Sequence, residues 1–257
     1  MRNITKFTEL VRQSNGVAFF GGAGVSTESG IPDFRSKKSR QDCFDAFGLE
    51  PEQILSQDFF RANPEVFFQY LYHFLLGSLV PNVANPNPAH KVLAEWENQG
   101  ILTGIVTQNI DGLHQRAGSK KVWELHGSLE TFHCMRCQME TERQFVLLQL
   151  QQGIGVPTCP CGGTLKPNIV LYGEMLPDTA LIGAQESISK ADLLVVAGTS
   201  LTVYPAAGLV EDFRGEHLVV VNLSPVPVPF HLKGKTIVIN QPVGEVLADV
   251  NVGMPGE

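Results

Sequence analysis

The sequence predicts an α/β protein built on a doubly wound, mostly parallel sheet. Short apolar runs of the buried-strand type recur along the chain, helical patterns separate them, and several runs end in glycine, amide or small hydroxyl residues. A run without polar alternation suits a strand covered on both faces, as parallel strands are. The 257 residues suit one large domain or one domain with an inserted module, and 43% hydrophobic with 18% charged residues allows a sizeable core. A net charge of −7 argues against unspecific binding to nucleic acid or anionic membrane. The first residues lack the apolar core of a secretion signal, and no apolar run reaches the roughly 18 residues a membrane span needs, so a cytoplasmic protein is expected.

In chain order, Ile4, Phe7, Leu10 and Val11 fall at helical spacing and lead into a strand at Val17, Ala18, Phe19 and Phe20. That strand ends in the loop GGAGVSTESGIPDFR, residues 21–35. Gly21, Gly22 and Gly24 remove three Cβ atoms where the backbone must pass close to something, and Ser26, Thr27 and Ser29 add hydroxyls. Such a loop suits a diphosphate, because amide donors favour negative charge. The competing reading is a glycine turn with no ligand: the pattern is not G-x-G-x-x-G, since Thr27 stands at the third glycine, and no acidic strand end follows about 20 residues on.

Residues 36–48 are polar and receive no assignment, and Pro51 to Gln57 reads as a short helix. Asn63-Pro64 and Asn87-Pro88 are helix starts, with proline just inside the first turn. The first opens a helix with Val66, Phe67, Tyr70, Leu71, Phe74 and Leu75 on one face, and the second runs through Trp96. Ile101 to Val106 is a second core strand, ending in Thr107-Gln108-Asn109-Ile110-Asp111-Gly112-Leu113-His114, either a ligand loop or an Asx-rich cap. Val122 to Leu125 is another strand, followed by His126-Gly127. That histidine reads either as a general base or as a hydrogen-bonded loop residue.

Cys134-x2-Cys137 and Cys159-x-Cys161 flank a helix around 145–150. Two close pairs separated by 21 residues fit tetrahedral Zn(II) held by four thiolates, with redox pairs or free thiols as the alternatives. Four thiolates leave no open coordination position, so such a zinc is structural. Further on, Ile169 to Tyr172 reads as a strand, Asp178 to Lys190 as a helix and Leu193 to Ala197 as the most apolar strand, ending in Gly198-Thr199-Ser200. Leu218 to Val221 is a strand ending in Asn222, which either bonds a ribose or caps a turn, and Thr236 to Ile239 is the last strand.

Taken in order, GAGVSTESGIPDFR, TQNIDGLH, HG, the two cysteine pairs, GTS and VNLSP resemble the sirtuin (Sir2) family of NAD-dependent protein deacylases, in its bacterial form, from about Val17 to Leu247. The resemblance implies a Rossmann-type NAD domain of residues 1–34, 78–131 and 167–257, with a helical insertion at 35–77 and a zinc knuckle at 132–166 forming a smaller discontinuous module. By position it implies an NAD loop containing Ala23, Thr27, Phe34 and Arg35, and a nicotinamide pocket of Gln108, Asn109, Ile110 and Asp111. Gly198, Thr199 and Ser200 would take phosphate or ribose oxygens, Asn222 the adenine-side ribose, and Val243 would lie near the adenine. Cys134, Cys137, Cys159 and Cys161 would bind structural zinc, and Val170, Leu171 and Tyr172 would pair with an extended substrate peptide. Catalysis would rest on His126 as general base, with Asn109 and Asp111 at the nicotinamide.

The implied reaction is transfer of an acyl group from a protein or peptide lysine to ADP-ribose, with release of nicotinamide. The alternatives are protein ADP-ribosylation and a non-catalytic NAD-binding regulator. Members that remove acidic acyl groups carry a tyrosine and an arginine after the IPDFR motif. Residues 45–49, DAFGL, show no such pair, which favours acetyl or another neutral acyl group. Two departures from the family pattern stand out: Gly21 replaces a threonine, and the second cysteine pair is one residue short.

Overall fold

A computed structural model of the chain describes residues 2–33, 36–76 and 84–250. Its main sheet has six strands, all parallel: β1 (Val17–Gly21), β2 (Leu102–Thr107), β3 (Val122–Glu124), β7 (Leu193–Ala197), β8 (His217–Val221) and β9 (Thr236–Ile239). They lie in the order β3-β2-β1-β7-β8-β9, so the order reverses between β1 and β7. Connections leave that junction in opposite directions and open a crevice beyond the strand ends.

Both faces of the sheet are covered, as the apolar runs require. One core contains Phe7, Phe19, Trp96, Val195 and Leu247, and the other contains Phe20, Val106, Leu194, Phe213 and Val220. Adjacent strand residues therefore feed opposite cores. The helices around the sheet are α1 (Arg2–Gln13), α6 (Pro88–Asn98), α7 (Leu113–Arg116), α9 (Asp178–Ser189), α10 (Gly208–Glu211) and α11 (Val243–Asp249). Asn87 caps α6 by accepting the Ala89 N–H at 2.9 Å, with Pro88 in the first turn as the sequence signalled.

A second sheet, ordered β5-β4-β6, is antiparallel and was not foreseen. It comprises β4 (Gly127–Cys134), β5 (Glu140–Glu142) and β6 (Leu165–Ile169). It carries α8 (Arg143–Gln151) and shares a third core with α2 (Lys37–Phe47), α3 (Pro51–Ile54), α4 (Gln57–Ala62) and α5 (Pro64–Tyr70). The unassigned polar stretch is thus mostly helix α2. Ser36 caps it by accepting the Ser39 N–H, Gly48 ends it in the left-handed region, and Arg40 pairs with both Glu50 and Glu52. Residues 71–76 continue α5 as a π-helical turn. The strand expected at 169–172 is corrected: β6 ends at Ile169, and Tyr172 only forms an isolated bridge to Ser56. Among the described residues no helix is long and apolar enough to cross a membrane.

The four sulfurs of Cys134, Cys137, Cys159 and Cys161 lie within 4.8 Å of one another. A tetrahedral tetrathiolate zinc with bonds of about 2.3 Å places its sulfurs about 3.8 Å apart, so the donor set fits. The Arg136 and Cys137 N–H groups both point at the Cys134 sulfur at 3.4 Å, as in a metal knuckle. The short C-x-C pair closes through the glycines after it: Gly162 has φ +81°, its N–H reaches the Cys159 carbonyl at 2.7 Å, and the Cys159 N–H reaches Gly163 at 2.8 Å.

Two expectations follow. Chelating the metal, or Cys134→Ser, should melt the β4-β5-β6 module before the main sheet, since structural zinc supplies roughly 10 kcal/mol of folding free energy; a single unchanged melt with chelator present would contradict it. The second concerns His90 and His114, whose rings are buried with centroids 4.7 Å apart. Burial lowers the His90 pKa from 6.5 to about 4 and puts His114 well below its ordinary value. The unfolded chain therefore binds more protons between these values, and stability falls as pH drops from about 6.5 towards 4, by up to roughly 3 kcal/mol for His90. Glu124, raised to about 7 chiefly by burial, acts with the opposite sign. The test is therefore a difference: His90→Gln, which suits the capping position, should lose less stability than the parent on acidification, measured by denaturant unfolding at pH 7 and 4.5.

Candidate functional site

The crevice at the strand-order reversal is closed at its base by backbone. The Gly24 N–H donates to the Gly198 carbonyl at 2.8 Å, and the Gly22 N–H to the Ala197 carbonyl at 3.1 Å. A Cβ on Gly24 would stand 2.7 Å from Gly198 Cα, one on Gly22 would stand 2.8 Å from Thr199 Cβ, and one on Gly198 would stand 2.4 Å from Val25 N. These glycines thus make room for the neighbouring strand loop: the backbone passes close to Gly198 and Thr199, which is the close approach the motif signalled. The Val25 and Ser26 N–H groups also turn inward, to Gly22 and Ala23.

From that base a hydrogen-bond chain runs into the cleft. The Thr199 hydroxyl donates to Gln108 Oε1 at 2.9 Å, and His126 Nδ1 lies 2.9 Å from the Gln108 carbonyl. A carbonyl only accepts, so Nδ1 carries the proton and Nε2 is left as the basic nitrogen of the neutral ring. Asn109 Nδ2 reaches both the Gly22 carbonyl and Ser26 Oγ at 3.0 Å. Ser26 Oγ donates to Asp111 Oδ2 at 2.7 Å, and Asp111 Oδ1 takes the Leu113 N–H at 2.9 Å. Burial raises the Asp111 pKa, while these donors and Arg116 pull against it. Both carboxylate oxygens are therefore already engaged in holding the loop.

One cavity gathers Ala23, Gln108, Asn109, Ile110, Asp111 and His126 with Val170, Leu171 and Tyr172. One half is polar. The other is lined by Ile31, Leu55, Phe74, Leu75, Leu129 and Leu176. Gln108 Nε2 is buried and has no partner among the described residues, an amide donor waiting for an acceptor. A nicotinamide dinucleotide presents carboxamide and ribose oxygens, so the donor set fits such a ligand.

Other expected residues lie outside this cavity. Thr27 is exposed and its hydroxyl turns back to the Gly24 carbonyl, while Ser200 is exposed and bonded to Thr202. Asn222 follows β8 and donates to Ser224, and Val243 packs into the first core at 3% exposure. Phe34 and Arg35 lie outside the described residues. Sequence reasoning did not single out Ser26, whose hydroxyl joins Asn109 to Asp111; among three loop hydroxyls it carried no distinguishing mark. Phe74 and Leu75 read only as a helix face.

The segment expected to pair with a substrate peptide has most of its backbone groups engaged within the chain. The Val170 N–H donates to the His126 backbone carbonyl at 2.9 Å, the Leu171 N–H to Glu174 Oε2 at 2.9 Å and the Tyr172 N–H to the Leu55 carbonyl at 2.9 Å. The Leu171 and Tyr172 carbonyls accept from Glu174 and Gln57. Little open ladder remains beyond the carbonyl of Val170, to which no described residue donates.

The Sir2 family model matches residues 22–205. The NAD-dependent protein deacetylase of Clostridium perfringens is 47% identical over 96% of this chain and 98% of its own length, and that of Clostridium acetobutylicum is 44% identical over 96% and 97%. A solved structure of Sir2 bound to acetylated peptide superposes with a TM-score of 0.82 at 37% identity, and one of Sir2 with p53 peptide and NAD+ with 0.82 at 38%, each covering 96% of both chains. A parallel sheet reversing at the glycine loop, a tetrathiolate knuckle and an oriented imidazole therefore coincide with likeness along nearly the whole chain, and the protein belongs to the Sir2 family.

Proposed function

We propose that this chain is an NAD-dependent protein-lysine deacetylase. It moves the acetyl group of a modified lysine onto ADP-ribose and releases nicotinamide, acting on acetylated protein or peptide. The observation that carries the reading is the convergence of His126, Asn109, Asp111 and Val170 on one cavity at the carboxyl ends of β1 and β2. We further read residues 1–34, 78–131 and 167–257 as the nucleotide-binding part and 35–77 with 132–166 as the smaller part.

NAD, when bound, supplies an electrophilic ribose carbon once nicotinamide departs. The residues of the chain do the rest. Asn109 is held by Gly22 and Ser26, and Gln108 keeps a free amide donor, so both face a carboxamide without rearranging. Asp111 acts by locking Ser26 and the start of α7, which keeps that pocket rigid. His126 Nε2 takes a proton from a ribose hydroxyl, and the carbonyl of Gln108 stabilises the charged ring that results. Ile31, Leu129 and Leu176 keep water from the reacting centre. Ala23, Thr27, Phe34, Arg35, Ile110, Gly198, Thr199, Ser200, Asn222 and Val243 are proposed to surround the rest of the dinucleotide.

Mass spectrometry of an acetyl-lysine peptide incubated with NAD should show deacetylated peptide, nicotinamide and O-acetyl-ADP-ribose in equal amounts. ADP-ribose left covalently on protein would favour the transferase alternative. His126→Ala should lower kcat by at least about 100-fold while NAD affinity stays within a few fold, as removal of a general base does; equal losses in both would move the residue from catalysis to binding.

A further inference from the structure

We propose that Lys166 and Glu174 are positioning residues that hold the Val170 carbonyl in place to receive the N–H of the substrate's acyl-lysine amide; this rests on the deacetylase reading above. Lys166 is the one buried lysine among the described residues, at 7% exposure. Its ammonium donates to the Pro167 carbonyl at 3.3 Å, the Ile169 carbonyl at 3.0 Å and Glu174 Oε2 at 3.1 Å, so its three protons are matched by three acceptors. Glu174 Oε2 also takes the Leu171 N–H at 2.9 Å, and Oε1 takes the Gln57 amide at 3.3 Å.

In an extended segment the N–H and C=O of one residue project to the same side, and those of its neighbours project to the other. The ion pair engages the Ile169 carbonyl and the Leu171 N–H, which lie on one side. Val170 must then present both of its polar groups on the opposite side. Its N–H is found there, on the His126 carbonyl, which sets its own carbonyl on that side as well, and Val170 lines the same cavity as His126. The turn that follows is closed twice at Leu171: the Glu174 N–H reaches its carbonyl at 2.9 Å, and the Glu174 side chain reaches its N–H. Gly173, at φ +93°, allows that turn.

Lys166 is not among the cavity-lining residues, and Glu174, which is, has both carboxylate oxygens engaged by Gln57, Lys166 and Leu171. A buried ion pair contributes little net stability, whereas removing one partner leaves an uncompensated buried charge. The pair therefore serves orientation better than stability.

The test uses the full-length enzyme with NAD and two peptides. One carries Nε-acetyl-lysine and the other Nε-methyl-Nε-acetyl-lysine, whose amide has no N–H to donate. Glu174→Gln, which keeps the shape and the acceptor for Leu171, and Lys166→Met should each raise KM for the acetyl peptide about tenfold, the scale of one lost hydrogen bond. KM for NAD should stay within about twofold, and KM for the methylated peptide should barely change, because the bond is already missing. The double variant, with no unpaired charge, should lie closer to wild type than the two singles combined.

Equal KM increases for both peptides, a parallel rise in KM for NAD, or unchanged acetyl-peptide KM in both singles would each overturn the positioning role. If Lys166→Met does not fold, Glu174→Gln alone decides it. Wild-type enzyme inert toward the acetyl peptide would overturn the deacetylase reading, a result distinct from active wild type with unaffected variants.

Discussion

The structure depends on one backbone contact, that of the loop after β1 against the loop after β7. At Gly24 and Gly198 the two chains approach so closely that a side chain on either would collide with backbone. That approach lets Gly22 and Gly24 bond across the strand-order reversal, where a sheet would otherwise leave an open notch. Thr199 then reaches Gln108, Gly22 reaches Asn109, and the Gln108 carbonyl sets the imidazole of His126. The proposed catalytic base is thus oriented through short, directional bonds that begin at glycines about 100 and 70 residues away in sequence.

Within the cleft, groups already engaged differ from groups left open. Asp111, Asn109 Nδ2 and the backbone of Leu171 and Tyr172 are satisfied by the protein itself, while Gln108 Nε2 and the Val170 carbonyl have no partner among the described residues. Engaged groups keep a buried polar loop rigid, and open ones define what a ligand must offer. A carboxylate such as Asp111, whose pKa burial raises, needs its internal donors before it can contribute to a pocket.

The second sheet and the helices α2–α5 meet beside the same cleft. Tyr172 sits between Leu55 and Gln57, Glu174 touches Gln57 and Lys166, and the third core continues from α2–α5 into β4 and β6. Part of the apolar half of the cavity, Leu55, Phe74 and Leu75, therefore comes from the helical residues 51–76, while Gln108, Asn109 and Asp111 of the polar half follow β2 of the main sheet. A substrate lysine entering between them would meet a dry wall on one side and directed donors on the other.

By itself the sequence determined the elements whose signals are local. Val17–Phe20 and Leu193–Ala197 are strands because apolar runs suit strands buried on both faces; Asn87-Pro88 starts a helix because cap and proline act within one turn, and Pro64 starts another although the Asn63 side chain makes no cap bond. The order of its motifs also marked the family and the set of residues expected in the cleft. Only the tertiary structure decided what the glycines face, that 170–172 is an extended rim and not a strand, and that the charged stretch 37–47 is a helix. It alone brought Ser26 to Asp111 and Lys166 to Glu174. Such outcomes depend on which segments distant in sequence become neighbours, and on which donors those neighbours leave unsatisfied, neither of which is written in the periodicity of a single segment.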